Sequence, residues 1–171
     1  MSLIFLVGFM GCGKTTMGRK LSAALDYPFI DLDHQFEEQT GMRIADYFAA
    51  HGEEEFRNLE SRILKETEYP ENAVVSTGGG LPCFFDNMDW MNSHGKTVYM
   101  KLTPKMLASR LENAKTPRPV LQGKKGQELV DFIESKLADR EPFYSKASVI
   151  AQSYVDLTPE NILYLLSTLN K

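Results

Sequence analysis

Residues 8–15 carry the clearest chemical signal in the sequence. They read GFMGCGKT and match the pattern GxxxxGK(S/T), which is typical of a loop that binds phosphate groups. Glycines in such a loop let backbone N–H groups curl around phosphate oxygens, while Lys14 neutralises the β- and γ-phosphates and the hydroxyl of Thr15 binds Mg²⁺. An apolar run precedes the motif and a helical pattern follows it, so the positive end of that helix faces the phosphates. We therefore expect residues 8–15, the phosphate-binding loop, to bind a nucleoside triphosphate.

Two acidic residues and a run of glycines are the next candidates for chemistry. Asp31 and Asp33 close a short apolar run, where carboxylates commonly form turns but can also bind Mg²⁺ or a substrate hydroxyl. Gly78, Gly79 and Gly80 follow another apolar run, and they form either a plain turn or a surface that a ligand can approach closely. The residue types alone leave both alternatives open.

Arginine side chains supply planar forks that bind carboxylates through paired hydrogen bonds. Arg57 has glutamates three and four residues away in a helical pattern, so it suits ion pairing on a solvated helix surface as well as anion binding. Arg140 is equally compatible with anion binding and with a plain role as a cation near a helix C-terminus.

The phosphate-binding loop is shared by kinases, GTPases and larger ATPases. The sequence contains no NKxD motif, with which GTPases usually recognise guanine, and its 171 residues are fewer than the larger ATPases need. A small chain with a second polar site favours transfer of a phosphoryl group to a small molecule.

The composition is typical of one globular domain, which we expect to span residues 1–171. Hydrophobic residues make up 43% and charged residues 25%, and 19 basic against 23 acidic side chains give a net charge of −4. This balance argues against binding to nucleic acid or to an anionic membrane, because both need clustered Lys and Arg. Cys12 and Cys83 are too few for a disulfide framework, and no apolar run is long enough to span a membrane. We expect a cytoplasmic protein.

Short apolar runs alternate with stretches of helical period, which is typical of a parallel sheet covered by helices. The runs predict five strands, at 3–7, 27–33, 73–77, 97–102 and 149–151. Helices are predicted after the phosphate-binding loop, at 34–68 with breaks at Gly41 and Gly52, at 104–111, around 129–137, and from Thr158 onward. Residues 112–127 contain two prolines, two glycines and four basic residues with little apolar period, which is typical of a lid or binding loop.

Taken together, the motifs resemble those of the shikimate kinase family from residue 3 to about residue 149. The resemblance is carried by GFMGCGKTTMGR at 8–19, DLD at 31–33, GE at 52–53 with FRNLE at 56–60, TGGG at 77–80, RPVL at 118–121, and Arg140 with Tyr144. The FRxxE block followed by the TGGG block is much more specific than the phosphate-binding loop, and sugar-acid kinases of similar size generally lack this pair.

The resemblance implies a three-layer α/β P-loop fold with a parallel five-stranded sheet in the order 2-3-1-4-5. It places acceptor-binding helices at about 34–66 and a lid at about 112–127. It also implies a monomeric kinase that uses ATP as co-substrate and Mg²⁺ as cofactor to phosphorylate the 3-hydroxyl of shikimate, a step toward chorismate and the aromatic amino acids. Two alternatives stay open, a kinase for another small hydroxy-acid such as gluconate and a nucleotide-binding module without activity.

The motifs and the resemblance also assign roles to individual residues. Catalysis is assigned to Lys14, Asp33 and Arg118. ATP binding is assigned to Gly11, Cys12, Gly13, Lys14, Thr15, Thr16, Arg110 and Arg118. Shikimate binding is assigned to Asp33, Arg57, Gly78, Gly79, Gly80 and Arg140. Mg²⁺ binding is assigned to Thr15 directly and to Asp31 through water.

Two segments depart from the family pattern, and the first is NAKTP at 113–117, before Arg118, where the family often has an acidic residue and one more arginine. After the triple glycine the chain reads Pro82-Cys83-Phe84-Phe85, which is more apolar than the family leads us to expect. Phe48 and Phe56 are candidates to line the space around the ring of the substrate.

Overall fold

Parallel strands form the centre of the molecule. A computed structural model describes residues 2–114, 121, 123–152 and 157–170. Within these residues the strands are β1 (Ser2–Val7), β2 (Phe29–Asp31), β3 (Asn72–Ser76), β4 (Lys96–Lys101) and β5 (Val149–Gln152). They pair in parallel in the order β2-β3-β1-β4-β5. The predicted α/β fold, with its five-stranded parallel sheet and strand order, is confirmed.

Helices connect the strands and cover both faces of the sheet. They are α1 (Lys14–Leu25), α2 (Leu32–Thr40), α3 (Ile44–Glu66), α4 (Asn87–His94), α5 (Pro104–Glu112), α6 (Gly126–Tyr144) and α7 (Pro159–Ser167), with short 3₁₀ helices at Leu81–Cys83 and Thr168–Asn170. Sequence periodicity does not predict α4, because its eight residues bury only Met88 and Met91 as apolar side chains. No helix among the described residues is long and apolar enough to cross a membrane.

The two predicted breaks in the segment 34–68 are correct. Gly41 ends α2 in the left-handed region, with a φ of 67°. Gly52 has a non-helical φ of 85° and ψ of 171°, so two helical segments of α3 meet at a kink there. Glycine populates both conformations at little cost, which is why these two positions punctuate the helical segment.

The predicted end of the second strand is wrong. β2 ends at Asp31, because the Asp31 carboxylate accepts hydrogen bonds from the backbone N–H groups of Asp33 at 3.0 Å and His34 at 3.4 Å and so caps α2. Asp33 therefore lies in the first turn of a helix and not at the end of a strand.

The connection between α5 and α6 is slightly shorter than the segment of about 112–127 that is predicted to form a lid. Glu112 is the last residue of α5, and Gly126 is the first residue of α6. The carboxylate of Glu112 accepts a hydrogen bond from the backbone N–H of Gly126, which joins the two helices across the connection. Residues 115–120 and 122 of the predicted lid lie outside the described residues.

Apolar side chains bury the sheet on both faces. The layer on one face draws on α1, α5, α6 and α7, with Met17, Leu21, Leu107, Ile133 and Ile162 among its members. The layer on the other face draws on α2, α3, α4 and α6, with Phe36, Phe56, Leu64, Met91 and Tyr144 among its members. β1 lies at the centre of the sheet with five of its six residues buried, as expected of a central parallel strand. The phosphate-binding loop therefore starts from the most firmly packed strand.

Gly95 precedes β4 and lies so close to β1 that its missing side chain is a packing requirement. A Cβ atom there would lie 2.4 Å from the carbonyl oxygen of Leu3 and 2.9 Å from the Cβ atom of Leu3. We expect Gly95→Ala to lower the free energy of unfolding by about 1–3 kcal/mol, because backbone atoms cannot move aside without disturbing the sheet. Denaturant unfolding followed by circular dichroism measures this change.

Gly41→Asn is the matched control, because asparagine tolerates the φ of 67° and no described atom lies within 4 Å of the Cβ position. We expect this control to change the free energy of unfolding by less than about 0.5 kcal/mol. Equal stability of the Gly95→Ala and wild-type proteins would contradict the packing requirement.

Candidate active site

The phosphate-binding loop joins β1 to α1, and glycines occupy its sharpest turns. Gly8, Gly11 and Gly13 have φ angles of 152°, 79° and 94°, which side chains rarely adopt. Helix α5 also packs against the loop, since Cβ atoms at Gly11 and Gly13 would lie 2.8 Å from Cδ2 of Leu111 and 2.9 Å from Nη2 of Arg110. Both the backbone conformation and the packing of α5 therefore require glycine in this loop.

Lys14 is the first residue of α1, and its side chain folds back along the loop. Its ammonium donates hydrogen bonds to the carbonyl oxygens of Gly8 at 2.7 Å and Phe9 at 3.1 Å, and only 8% of the residue is exposed. Cys12 is buried beside it, with its sulfur 3.7 Å from the ammonium. The structure thus places the positive charge of Lys14 within the loop. Cys12 packs in the interior as a small side chain.

Thr15 and Asp31 bring two hard oxygen atoms together beside the loop. The hydroxyl of Thr15 lies 3.5 Å from Oδ2 of Asp31, while Oδ1 of Asp31 caps α2. Mg²⁺ in nucleotide sites is held by one or two protein oxygens together with phosphates and water, and this pair fits that donor set. Among the residues that the structure describes, no group of three or more His, Cys, Asp and Glu side chains is arranged to hold a metal ion.

A cleft of about 300 Å³ connects the phosphate-binding loop with residues predicted to bind the acceptor. Its lining includes the residues Gly11, Gly13, Lys14, Thr15, Thr16, Asp31 and Arg110, which are predicted to bind ATP or Mg²⁺. It also includes Asp33 and Gly79, which are predicted to bind the acceptor. Arg110 reaches the loop from the last turn of α5, where its Nε donates to the carbonyl oxygen of Gly11 at 2.8 Å. Arg118, predicted to reach the transferring phosphate, lies outside the described residues.

The triple glycine at 78–80 follows β3 and lies against charged side chains. A Cβ atom at Gly78 would lie 2.8 Å from Oδ1 of Asp33 and 3.1 Å from Oε2 of Glu60. A Cβ atom at Gly80 would lie 2.6 Å from both terminal nitrogens of Arg57. None of the three glycines has a φ in the left-handed region, so a side chain here is opposed by the neighbouring charged groups and not by the backbone conformation. This geometry favours close approach over a plain turn.

Arg140 approaches the triple glycine from α6. Its Nη1 atom lies 3.6 Å from the Cβ position of Gly79, and its guanidinium carbon lies 5.4 Å from the ring centroid of Phe9. One helical turn later, the hydroxyl of the buried Tyr144 donates a hydrogen bond to the carbonyl oxygen of Gly79. Tyr144 thereby fixes α6 to the segment that Arg140 faces, a role that the sequence did not reveal.

Arg57 pairs with glutamates of its own helix and is nevertheless buried. Its Nη1 donates to Oε1 of Glu60 at 2.9 Å, its Nε lies 3.8 Å from Oε1 of Glu53, and only 13% of its side chain is exposed. The ion pairs that the sequence spacing allows therefore exist, but this burial excludes a solvated surface arginine. Glu60 is a site residue that sequence reasoning missed, although it is the glutamate that closes the FRxxE block.

Glu60 is a buried carboxyl group among other charges. Burial raises its pKa from 4.5 to about 7, the Arg57 guanidinium that donates to it acts in the opposite direction, and the negative charge of Asp33 raises it further. Arg140 also favours the ionised form. The site therefore contains a carboxyl group that titrates near neutrality, with charged partners on α2, α3 and α6.

Two guanidinium nitrogens are buried without a hydrogen-bond partner. Within the described part of the chain these are Nε of Arg57 and Nη1 of Arg140, which come from helices α3 and α6. A buried donor without an acceptor costs about 1–3 kcal/mol, and more when it is charged. Such donors beside a surface without side chains suit an anionic ligand that accepts from both arginines.

A larger concavity of about 750 Å³ lies between the C-terminal end of β4 and α6, and no predicted site residue lines it. On its wall Lys101 pairs with Glu141 at 3.0 Å, and the hydroxyl of Tyr99 donates to Glu141 at 2.7 Å. These charged groups are therefore already paired with each other. The smaller polar cleft is the candidate active site.

The central strand of the parallel sheet leads into the phosphate-binding loop, and this loop borders a polar cleft for a second substrate. These features define the class of P-loop kinases that act on small molecules. The family model for shikimate kinase matches residues 10–169, and the chain belongs to the shikimate kinase family.

Individual relatives agree with this assignment over nearly the whole chain. The curated shikimate kinase of Parabacteroides distasonis is 45% identical over 171 residues, which cover 100% of this chain and 99% of that one. The crystal structure of the shikimate kinase of Bacteroides thetaiotaomicron aligns with a TM-score of 0.89 at 43% identity and covers 99% of both chains. A structure of the Acinetobacter baumannii shikimate kinase in complex with shikimate aligns with a TM-score of 0.86 at 32% identity, covering 98% of this chain and 94% of that one.

We expect Glu60 to make stability fall as the pH rises toward neutrality. Because its pKa is about 7 in the folded protein and 4.5 ordinarily, the folded state keeps a proton between these values that the unfolded state has lost. The stabilisation is complete below pH 4.5 and is lost as the pH approaches 7. Its total size is roughly 3 kcal/mol. Denaturant unfolding at several pH values should show the stability advantage of wild type over Glu60→Gln falling across this window.

Glu54→Gln is the matched control, because Glu54 is an exposed glutamate on the same helix. Its unfolding free energy should follow that of wild type at every pH. Parallel curves for the wild-type and Glu60→Gln proteins would show that the pKa of Glu60 is not raised.

Proposed function

We propose that the chain transfers the γ-phosphoryl group of ATP to the 3-hydroxyl of shikimate, forming shikimate 3-phosphate and ADP. The observation that carries the proposal is a pair of buried nitrogens, Nε of Arg57 and Nη1 of Arg140, which have no hydrogen-bond partner within the described residues and belong to guanidinium groups beside the triple glycine. Shikimate is a hydroxylated ring with one carboxylate, which suits two arginine forks and a nearby carboxylate, Asp33. A relative with a solved structure binds shikimate, and family membership favours shikimate over gluconate.

On the donor side, backbone N–H groups of the phosphate-binding loop would hold the β- and γ-phosphates, with the ammonium of Lys14 among them. Thr15 would bind Mg²⁺ directly and Asp31 would bind it through water, as the distance between their oxygens allows. Mg²⁺ bound there supplies charge neutralisation at the phosphate oxygens. Arg110 would lie beside the nucleotide, since it already contacts the loop at Gly11.

On the acceptor side, Arg57 and Arg140 would bind the carboxylate of shikimate. The backbone at 78–80, which carries no side chains, would lie against the substrate. Asp33 shares the cleft with Lys14, where it can orient the attacking hydroxyl and accept its proton. The hydroxyl oxygen bonds to the γ-phosphorus, the bond from that phosphorus to the bridging oxygen breaks, and ADP leaves with the electron pair. Such a transfer depends chiefly on position and on charge neutralisation.

A coupled assay of ADP release tests the proposal directly. The wild-type protein with ATP and Mg²⁺ is assayed with shikimate, with gluconate and without an acceptor, and phosphorus NMR locates the new phosphate ester. ADP release that depends on shikimate, with the ester at the 3-hydroxyl, supports the proposal. Turnover of gluconate alone would show that the chain is instead a kinase for another hydroxy-acid. Nucleotide binding without turnover would show that it is a nucleotide-binding module without activity.

We expect Lys14→Ala to lower kcat/KM at least about a hundredfold, because a charge directed at the transferring group is removed. Lys20→Ala is the matched control, since Lys20 is an exposed lysine of the same helix. Circular dichroism and thermal unfolding check that both variants are folded, and the ADP assay measures their turnover. Wild-type activity in folded Lys14→Ala protein would refute the role of the phosphate-binding loop.

We expect Asp33→Asn to lower kcat about 10²- to 10⁴-fold while the affinity for an ATP analogue is retained, because asparagine keeps the shape but cannot accept the proton. Asp46→Asn, at an exposed position early in α3, serves as the control. Calorimetry measures nucleotide binding, and the ADP assay measures kcat. If analogue binding fell as much as turnover, Asp33 would belong to the metal side and Asp31 would become the candidate for the acceptor.

A further inference from the structure

Phe84, in the unexpectedly apolar segment 82–85, lies against Arg57, one of the residues predicted to bind the acceptor. The centroid of its ring is 4.2 Å from the guanidinium carbon of Arg57, and the ring of Phe56 is 5.0 Å from the same atom. Phe84 is half-buried in this contact, whereas the next residue, Phe85, is 60% exposed. One of the two adjacent phenylalanines therefore packs on a predicted substrate-binding residue, and the other faces solvent.

The contact with Phe84 leaves the hydrogen-bonding groups of Arg57 available. An aromatic ring attracts the flat face of a guanidinium, whereas carboxylates accept hydrogen bonds from the N–H groups in its plane. Glu60 accepts from Nη1 at 2.9 Å, the terminal nitrogens lie against Gly80, and Nε has no hydrogen-bond partner within the described residues. The ring therefore contacts the guanidinium without accepting a hydrogen bond from it and does not compete with an anionic ligand.

The chain on either side of Phe84 is tied to α3, the helix that carries Arg57. Ser61, one turn after Arg57, donates to Oδ1 of Asn87 at 2.6 Å, and Asn87 donates to the carbonyl oxygen of Leu81 at 2.9 Å. Both polar side chains are buried, Asn87 completely. A buried, satisfied hydrogen-bond pair of this kind fixes geometry, because breaking it leaves unpaired groups in the core.

The turn after Phe84 has a second tie to the same helix. Phe85 adopts a φ of 52°, an uncommon value for a large side chain, and it turns the chain toward α4. Asp86, the next residue, forms an ion pair with Lys65 of α3. The position of the Phe84 ring is therefore set from the same helix that sets the position of the Arg57 guanidinium.

We propose that Phe84 is a positioning residue for the carboxylate of the acceptor, because its ring orients Arg57 before the substrate binds. The inference rests on the proposed function, in which Arg57 binds that carboxylate. A long arginine side chain loses rotamer freedom when it is fixed by a ligand, and one already held by Glu60 and an aromatic ring has less freedom to lose. Phe84 thus increases the affinity for shikimate and leaves the phosphoryl transfer step unchanged.

Two substitutions at Phe84 separate the effect of the aromatic ring from the effect of an apolar side chain. Phe84→Leu keeps an apolar side chain but removes the ring, and we expect it to raise KM and Kd for shikimate about 3- to 30-fold. We expect kcat and the KM for ATP to stay within about twofold of wild type. Phe84→Tyr keeps the ring and should stay within about twofold of wild type in every constant. Phe85→Leu, at the exposed neighbour, is the matched control.

A double-mutant cycle with Arg57→Lys tests whether Phe84 acts through the guanidinium. Lysine keeps the charge but has no planar fork, so Phe84→Leu should raise the shikimate KM by less than about twofold in that background. Thermal unfolding verifies that each variant is folded, and Phe84→Met replaces Phe84→Leu with the same expectation if the leucine variant does not fold. Calorimetric titration with shikimate measures the same coupling without turnover.

An unchanged shikimate KM in folded Phe84→Leu, with an active wild-type protein, would overturn the role of Phe84 and leave the proposed function standing. A defect in Phe84→Tyr as large as that in Phe84→Leu, or equal effects of Phe84→Leu in both backgrounds, would show general packing and overturn the role as well. A wild-type protein that does not phosphorylate shikimate would overturn both proposals.

Discussion

The absence of side chains at the three glycines 78–80 is the constraint on which the arrangement of the predicted acceptor-binding residues depends. Asp33, Glu60 and Arg57 come from two helices and occupy the space where Cβ atoms of Gly78 and Gly80 would lie. Since the φ angles of these glycines are ordinary, the requirement is for space and comes entirely from neighbouring elements. Tyr144 holds the carbonyl of Gly79 from α6, so the segment is also fixed by a third helix. Any side chain at 78 or 80 would displace charged groups.

Burial of these charged groups costs desolvation free energy, and it also makes the assembled group selective for the charge of a ligand. Glu60 is buried and keeps a raised pKa although Arg57 donates to it, which shows that desolvation outweighs the ion pair. One nitrogen of Arg57 and one of Arg140 remain without a hydrogen-bond partner within the described chain. Ligands that supply an anion to these nitrogens recover part of the desolvation free energy, whereas neutral ligands leave it unrecovered. The arrangement therefore favours an anionic ligand over a neutral one, as the proposed function requires.

A single carboxylate couples the two sides of the cleft. Asp31 presents one oxygen to Thr15 at the start of α1 and uses the other to cap α2, whose first turn contains Asp33. The proposed metal site and the proposed proton acceptor are therefore positioned by neighbouring hydrogen bonds of one side chain. A helix cap has a well-defined geometry, because the side chain must reach backbone N–H groups two or three residues ahead. The cap therefore fixes the distance between the proposed metal site and Asp33 more closely than an irregular loop would.

The sequence by itself determined the phosphate-binding loop and most of the alternation of strands and helices, because these follow from local pattern and spacing, whereas the residues of the acceptor side were indicated by family resemblance. Through family resemblance it also indicated the strand order that the structure confirms. Only the tertiary structure decided that Arg57 is buried, that Glu60 titrates near neutrality and that Phe84 covers the guanidinium. Burial, desolvation and ring contacts arise between elements far apart in the chain, so the spacing of residues along one helix carries no record of them. The end of β2 was likewise decided by hydrogen bonds of Asp31, whose capping role competes with the strand pattern around it.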